Sequence, residues 1–385
     1  YIKESRSISL KPAENREIKV SLNEDIGEIY VDVSPADALI SIDGVAMSTG
    51  SQNLRLATKK YKLSVSKNGF ETKTISINPR PKIPQAVSIQ LITTEEAYWA
   101  SRPEVISTPL GNKLKLFKPN DEVFSMGAPR REPGRRANEA EKRIQLQRPF
   151  YFAITETSNK EYRQWKSEHN SSSIRGLSLD LNDQPVANIA WQDAALFCNW
   201  LSEKENLPKF YNVVGDRVTS INWDSNGYRL PTESEWSWVA KVTKAGSTKV
   251  FPWNSPSYPP PFVSGNYADE SAKSMLPFTI SNYNDSFPVS ASVGSFRPNE
   301  KGIFNLSGNV AEWVNDFYEI RVNKSEPLVD YRGPNTGNRH VIRGASWALG
   351  SRSELRLSYR EPGNNGKIDV GFRIARYVDK PKGDL

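Results

Sequence analysis

The chain has 385 residues, 37% of them hydrophobic and 10% aromatic, enough for two or three buried cores and incompatible with a wholly disordered polymer. Its formal charge is +7, which bears on association with acidic partners and not on fold. One cysteine excludes an internal disulfide, and no apolar run approaches the ~18–20 residues needed to span a bilayer.

The N-terminal quarter contains a repeat. "YIKESRSISLKPAENREIKVSL" (1–22) and "FETKTISINPRPKIPQAVSIQL" (70–91) each run from an aromatic residue through a polar strand and a Pro-bearing turn to an alternating strand ending in Leu. Tyr1 matches Phe70 and Leu22 matches Leu91, so 1–22 reads as the remnant of a first copy and 23–91 as an intact one. Further copies, any signal and any membrane contact are expected upstream. Within the intact copy "GEIYVDVSP", "ALISIDG", "KYKLSVSKNGF" and "KTISI" alternate apolar and polar residues and end at Gly or Pro turns, which predicts short strands throughout. Asp32 and Asp43 read as strand-face and turn carboxylates. These pieces resemble the PEGA domain, a small β-sandwich of bacterial envelope and surface proteins.

Residues 92–117 read as a linker, with "TTEEAYWASR" forming a short helix capped by Thr94. The stretch 111–148 holds ten Lys and Arg against five Asp and Glu, densest in "RREPGRR" at 130–136. Gly and Pro interleave with the cations and no aromatic does. Nucleic-acid grooves pair cations with stacking rings, so a solvated basic loop is expected here and no nucleic-acid partner.

A large domain is expected over 118–378, followed by a tail at 379–385. In "AWQDAALFCNWLSEKE" the apolar positions, Cys198 among them, follow helical spacing, which predicts a buried structural thiol. In "YRLPTESEWSWVAK" Thr232 and Glu235 form a capping box opening a helix. Carboxylates in a first turn complement the helix dipole, and this explains Glu233 and Glu235 without an acid–base pair. Together with "FSMGAP", "FYFAITETSNKEYRQW" (where Ser158 intrudes on the usual E-x-T-N frame), "FPWN", "NLSGNVAEWVNDFY", "RGASW" and "VGFRIAR", these segments resemble, in order, the formylglycine-generating (sulfatase-modifying-factor) family. The resemblance implies an irregular α+β, C-type-lectin-like fold. The expected whole is therefore multi-domain, an all-β PEGA sandwich followed by that fold.

In catalytic members a cysteine pair follows the RG-[GA]-S-W segment. Here Leu349, Gly350, Ser353 and Glu354 occupy the region, so the resemblance implies a scaffold whose chemistry is gone. Copper(I) wants two thiolates, and related iron enzymes use three His. Only His169 and His340 are present, both in polar surroundings that suggest solvated side chains, so no copper, iron or haem is expected. Calcium is expected, because it takes carboxylate, amide and carbonyl oxygens from flexible loops. The family pattern maps onto the side chains of Asn305 and Glu312 with the carbonyls of Gly308 and Val310. A second set falls on Asn266 and Tyr267 with Asp285 and Phe287. The competing possibility is that both frames are Asx-turns closing without metal.

The cleft beside "RGASW" is available for recognition. Trp347, Arg352, Arg356 and Arg360 surround it, and alternation in "ELRLSYR" suggests a strand burying Leu355, Leu357 and Tyr359. The arginines then share an accessible face that grips an acidic partner, or else they form internal salt bridges. The function expected is a non-catalytic binding or assembly protein of a bacterial envelope, at the periplasm or surface of a Gram-negative cell, taking a protein or glycan partner within a larger complex. The alternative is an enzyme of the same family using unusual residues or a partner-supplied ligand.

Overall fold

Strand β1 (Ile26–Ser34) buries every second residue, so Ile29, Val31 and Val33 face a core while Glu28, Tyr30 and Asp32 face water. In the computed structural model, which describes residues 5, 7–15, 17, 19, 25–119, 121–253, 255–320 and 326–379, the same period-2 pattern builds the first of two units. The division falls between Pro103 and Glu104.

The first unit continues with β2 (Leu39–Ile42), β3 (Val45–Thr49), β4 (Gln52–Ala57), β5 (Tyr61–Ser66), β6 (Lys73–Ile77) and β7 (Gln85–Gln90). One sheet has the order β4-β1-β7 and the other β3-β2-β5-β6. Their shared core contains Ile29, Val31, Ile40, Leu54, Leu63, Val65 and Ile89. The expected sandwich is therefore present. Asp32 accepts from Ser51 and Ser88 on its strand face, and Asp43 accepts the Lys62 N–H from its turn, as read from sequence. Among the described residues before β1 there is only a turn at Lys11–Glu14. Most of the expected second strand of the remnant, Leu22 included, lies outside the described residues, as do 380–385 of the tail.

Helix α1 (Thr94–Ala100) starts one residue earlier than expected. Thr93, not Thr94, is the N-cap, and it forms a capping box with Glu96. The glutamate three residues beyond Thr93 decides the choice, since only that spacing closes both bonds.

Of the stretch 92–117 read as a linker, residues 104–117 lie in the second unit and the rest in the first. Strands β8 (Val105–Ser107) and β9 (Lys113–Phe117) pair with each other, and β9 pairs with β12 (Phe150–Ala153). Two further strands, β10 (Val123–Met126) and β11 (Lys142–Gln145), lie between them in sequence. Next come α2 (Asn159–Arg163), β13 (Ser173–Ile174), β14 (Leu177–Ser178), α3 (Trp191–Lys204), β15 (Tyr211–Val214), β16 (Arg217–Ile221), β17 (Tyr228–Arg229) and α4 (Glu233–Lys241). After a long irregular stretch the chain ends in β18 (Ala311–Phe317), β19 (Leu328–Val329), β20 (His340–Arg343), β21 (Arg360–Gly363), β22 (Val370–Phe372) and β23 (Ala375–Tyr377).

The two principal sheets have the orders β17-β23-β12-β9-β8 and β21-β20-β18-β22. Phe117, Phe150, Phe152 and Trp238 form an aromatic cluster on the first of them, its pairs edge to face except the tilted Phe117–Phe150. Ser158, out of place in the sequence pattern, has a local purpose: it is the N-cap of α2, in a capping box with Glu161. Thr232 and Glu235 form the predicted box at the start of α4.

Candidate functional site

Between β20 and β21, the segment 344–359 contains no strand. From Ser351 to Ser358 it is a chain of turns, and Leu355 through Arg360 are all buried. The expected accessible arginine face is therefore absent, and the internal salt-bridge alternative describes two of the three side chains. Arg356 donates to both oxygens of Glu139 at 2.7 Å, to Glu132 at 2.9 Å and to the Gly134 carbonyl. Arg360 donates to both oxygens of Glu233 at 2.7 and 2.8 Å. Arg352 alone stays partly exposed, its guanidinium 5.6 Å from the Tyr258 ring. Trp347 is buried against Leu179, Val289 and Val310, with its indole N–H unpartnered among the described residues. A buried guanidinium needs carboxylate and carbonyl partners to offset its desolvation, and remote parts of the sequence supply them here.

One of those parts is the basic stretch. Gly134 has φ +87°, and a Cβ there would come within 3.3 Å of the Arg356 and Arg352 side chains, so the chain passes close only because the residue is glycine. Arg135 donates to the Ala128 carbonyl, and Arg136 lies 4.8 Å from the Tyr359 ring. Only part of "RREPGRR" is the solvated loop expected; Arg130 and Arg131 are exposed.

The residues where a thiol pair would be expected cannot supply one, and the lone Cys198 lies inside α3, fully buried. Burial pushes its thiol well above the usual range, which leaves it uncharged and inert. The histidines are less solvated than their polar sequence neighbours suggested. His340 is 8% exposed, stacked 3.5 Å from Trp191 and 4.4 Å from Phe317, and burial pushes its ring down to about 4. His169 bonds the Ala187 carbonyl and Ser171, and burial lowers its pKa also.

The two calcium frames fare differently. Glu312 gives one oxygen to Arg373 Nη2 at 2.5 Å and the other to Arg373 Nε and Trp236 Nε1, each at 2.8 Å. Its charge is balanced by a guanidinium, and Asn305 turns its amide N–H to Glu156 at 3.1 Å. In the Asn305–Glu312 frame, with the carbonyls of Gly308 and Val310, the carboxylate is thus already neutralised and does not fit as a cation's anionic ligand, while the Asn305 Oδ1 is left without a partner among the described residues. Burial, partly countered by Arg373 and reinforced by Glu312, raises Glu156 to about 7.

In the other frame Asp285 accepts the main-chain N–H groups of Tyr267 at 2.9 Å and Phe287 at 3.0 Å. The second bond is an Asx-turn. Asn266 donates to the Val289 carbonyl and Asn309, while among the described residues its buried Oδ1 has no partner. Burial, with the Asp269 carboxyl beside it, raises Asp285 to about 7, and this acidic pair with the orphaned amide oxygen forms a donor set that fits a hard cation. The frames also touch: Asn309 N–H donates to the Asn266 carbonyl, and a Cβ on Gly308 would lie 3.3 Å from that oxygen.

Sequence reasoning missed the carboxylates that serve the buried arginines. Glu235 grips Arg229 at 2.6 and 2.7 Å, and Glu233 grips Arg360, so the two helix-start acids are also core ion pairs.

Residues 101–378 match the family model described as a sulfatase-modifying factor enzyme 1-like domain, and 26–95 match the PEGA domain model. Over 207 residues the chain is 28% identical to the formylglycine-generating enzyme of Streptomyces coelicolor, covering 52% of this chain and 55% of that enzyme. The chain thus spans little more than half of that relative's length. Over 289 residues it is 26% identical to the inactive C-alpha-formylglycine-generating enzyme 2 of Mus musculus, covering 66% and 83%. Among solved structures, Treponema denticola variable protein 1 shares the fold with a TM-score of 0.57 at 23% identity, across 72% of this chain and 100% of that one.

Proposed function

The chain belongs to the sulfatase-modifying factor enzyme 1-like family through residues 101–378, and from that premise we propose that this head is a non-catalytic recognition module. Its fold is the C-type-lectin-like one of formylglycine-generating enzymes, preceded by a PEGA β-sandwich. The observation that carries the proposal is the content of the segment after Trp347. Leu349, Gly350, Ser353 and Glu354 replace thiols with groups that neither bind copper(I) nor form a disulfide, and the one cysteine is sealed in α3. The inactive mouse relative supports the same reading.

In this reading PEGA copies act as a spacer that presents the head within an assembly of a Gram-negative envelope, at the periplasm or surface, to a protein or glycan partner. A calcium ion held by the side chains of Asn266 and Asp285 and the carbonyls of Tyr267 and Phe287 pins two long loops without chemistry. No copper, iron or haem takes part.

The test is an oxygen-uptake assay on the purified chain after copper(I) loading, with a cysteine-containing peptide as substrate. No uptake above buffer is expected. Turnover that depends on the protein would overturn the proposal.

A further inference from the structure

We propose that a cleft of about 950 Å³ bordered by β16 takes an extended acidic peptide, seated as an added strand. The inference rests on the recognition reading above and names the partner class and its place. Residues Arg217–Ile221 form one wall, and segments near Asn338 and Asn365 form another. Trp191, Asn315 and His340 line it between them.

The wall is an open sheet edge. β15 and β16 make a two-stranded sheet, so among the described residues β16 has β15 on one side and no strand on the other. The Val218 N–H is taken by Gln192 at 3.2 Å, which leaves the outward-facing main-chain groups of Thr219–Ile221, those not spent on β15, as the open edge. Unpaired strand edges recruit extended chains through main-chain hydrogen bonds.

The charge is of one sign. Arg217 and Arg332 line the cleft, and no Asp, Glu or Lys does. Among the described residues neither arginine has a carboxylate partner; Arg332 is held only against the Trp223 ring, at 4.3 Å. Arg229, Arg356, Arg360 and Arg373 are buried and each paired with a carboxylate, whereas Arg217 is exposed and Arg332 half-buried, so these two guanidiniums are open to a ligand. Complementarity to Asp or Glu follows.

A polar group also waits inside. Asn315 is 2% exposed, its Oδ1 accepts the Tyr211 hydroxyl at 3.0 Å, and no protein group among the described residues takes its amide N–H. That N–H is a fixed donor for a peptide carbonyl or carboxylate. The Trp191–His340–Phe317 stack beside it is already filled ring against ring, so it offers a rigid edge and not an open face for a sugar.

The experiment pans random dodecapeptides against the full 385-residue chain and against R217E/R332E. Enrichment of Asp- and Glu-rich sequences is expected. Their synthetic versions should bind the double variant on the order of tenfold more weakly or worse, at unchanged melting temperature. N-methylation of alternate peptide nitrogens should cause a similar loss, which side-chain contact alone would not produce. No enrichment, equal binding to both proteins, or indifference to N-methylation overturns the proposal. Specific capture of a neutral oligosaccharide in place of peptides also overturns it while leaving the recognition reading intact, and thiol-dependent oxygen uptake sinks that reading separately.

Discussion

Arg360 holds both oxygens of Glu233 at 2.7 and 2.8 Å across 127 residues of sequence, tying β21 to the first turn of α4. Both partners are buried, and removing one member of such a pair strands the other's charge. Arg360→Ala should therefore destabilise the head by about 3–5 kcal/mol, as should Arg356→Ala. The partly exposed Arg352→Ala should stay within about 0.5 kcal/mol. Urea unfolding of the three variants decides the matter, and equal midpoints would show that these pairs are energetically idle.

Calcium gives a second contrast. Glu312→Ala should cost about 3–5 kcal/mol because Arg373 loses its counter-charge, with or without EGTA. Asp285→Ala should instead remove whatever increment calcium confers, about 2.7 kcal/mol at a hundredfold excess over Kd. Melting curves with calcium and with EGTA measure both. A wild-type curve insensitive to EGTA would identify the Asp285 frame as an Asx-turn alone.

Cys198 should resist a thiol-specific reagent such as DTNB in the native protein and react stoichiometrically once denatured. Its complete burial and raised pKa both act in this direction. Fast labelling of the native chain would refute the placement of this thiol.

Local geometry was readable in the sequence, and distant partners were not. Thr232 and Glu235 lie three residues apart, so their capping box follows from spacing alone. The alternation in β1 likewise states which side faces the core. Glu312 was misread because the evidence about it is not local: Arg373, which takes its charge, lies 61 residues away. Arg356 finds Glu139 at a separation of 217, and nothing in "ELRLSYR" distinguishes such an arginine from one facing water. His340 looked solvated for the same reason, since Trp191 and Phe317 come from other elements.

That stack gives a pH prediction. His340 has a folded pKa of about 4 against an ordinary 6.5, so below 6.5 the unfolded state binds a proton that the folded state refuses. Stability is fully present above pH 6.5 and is lost as pH falls toward 4, by about 2 kcal/mol at pH 5. His340→Phe should flatten this part of the stability profile relative to wild type. An unchanged slope between pH 7 and 5 would mean that the imidazole is protonated in place.

Strand β12 has β9 on one side and β23 on the other. With β8 beyond β9 in the same sheet, the head begins on β8 and ends on β23, three strand spacings or about 14 Å apart. A fold whose entrance and exit lie so close behaves as a cassette: spliced between two other segments, it adds bulk to one side of a polypeptide while barely lengthening its path. Joining β23 to β8 by a short loop and reopening the chain at an exposed turn, such as Gly215–Asp216, should yield a circular permutant that still folds.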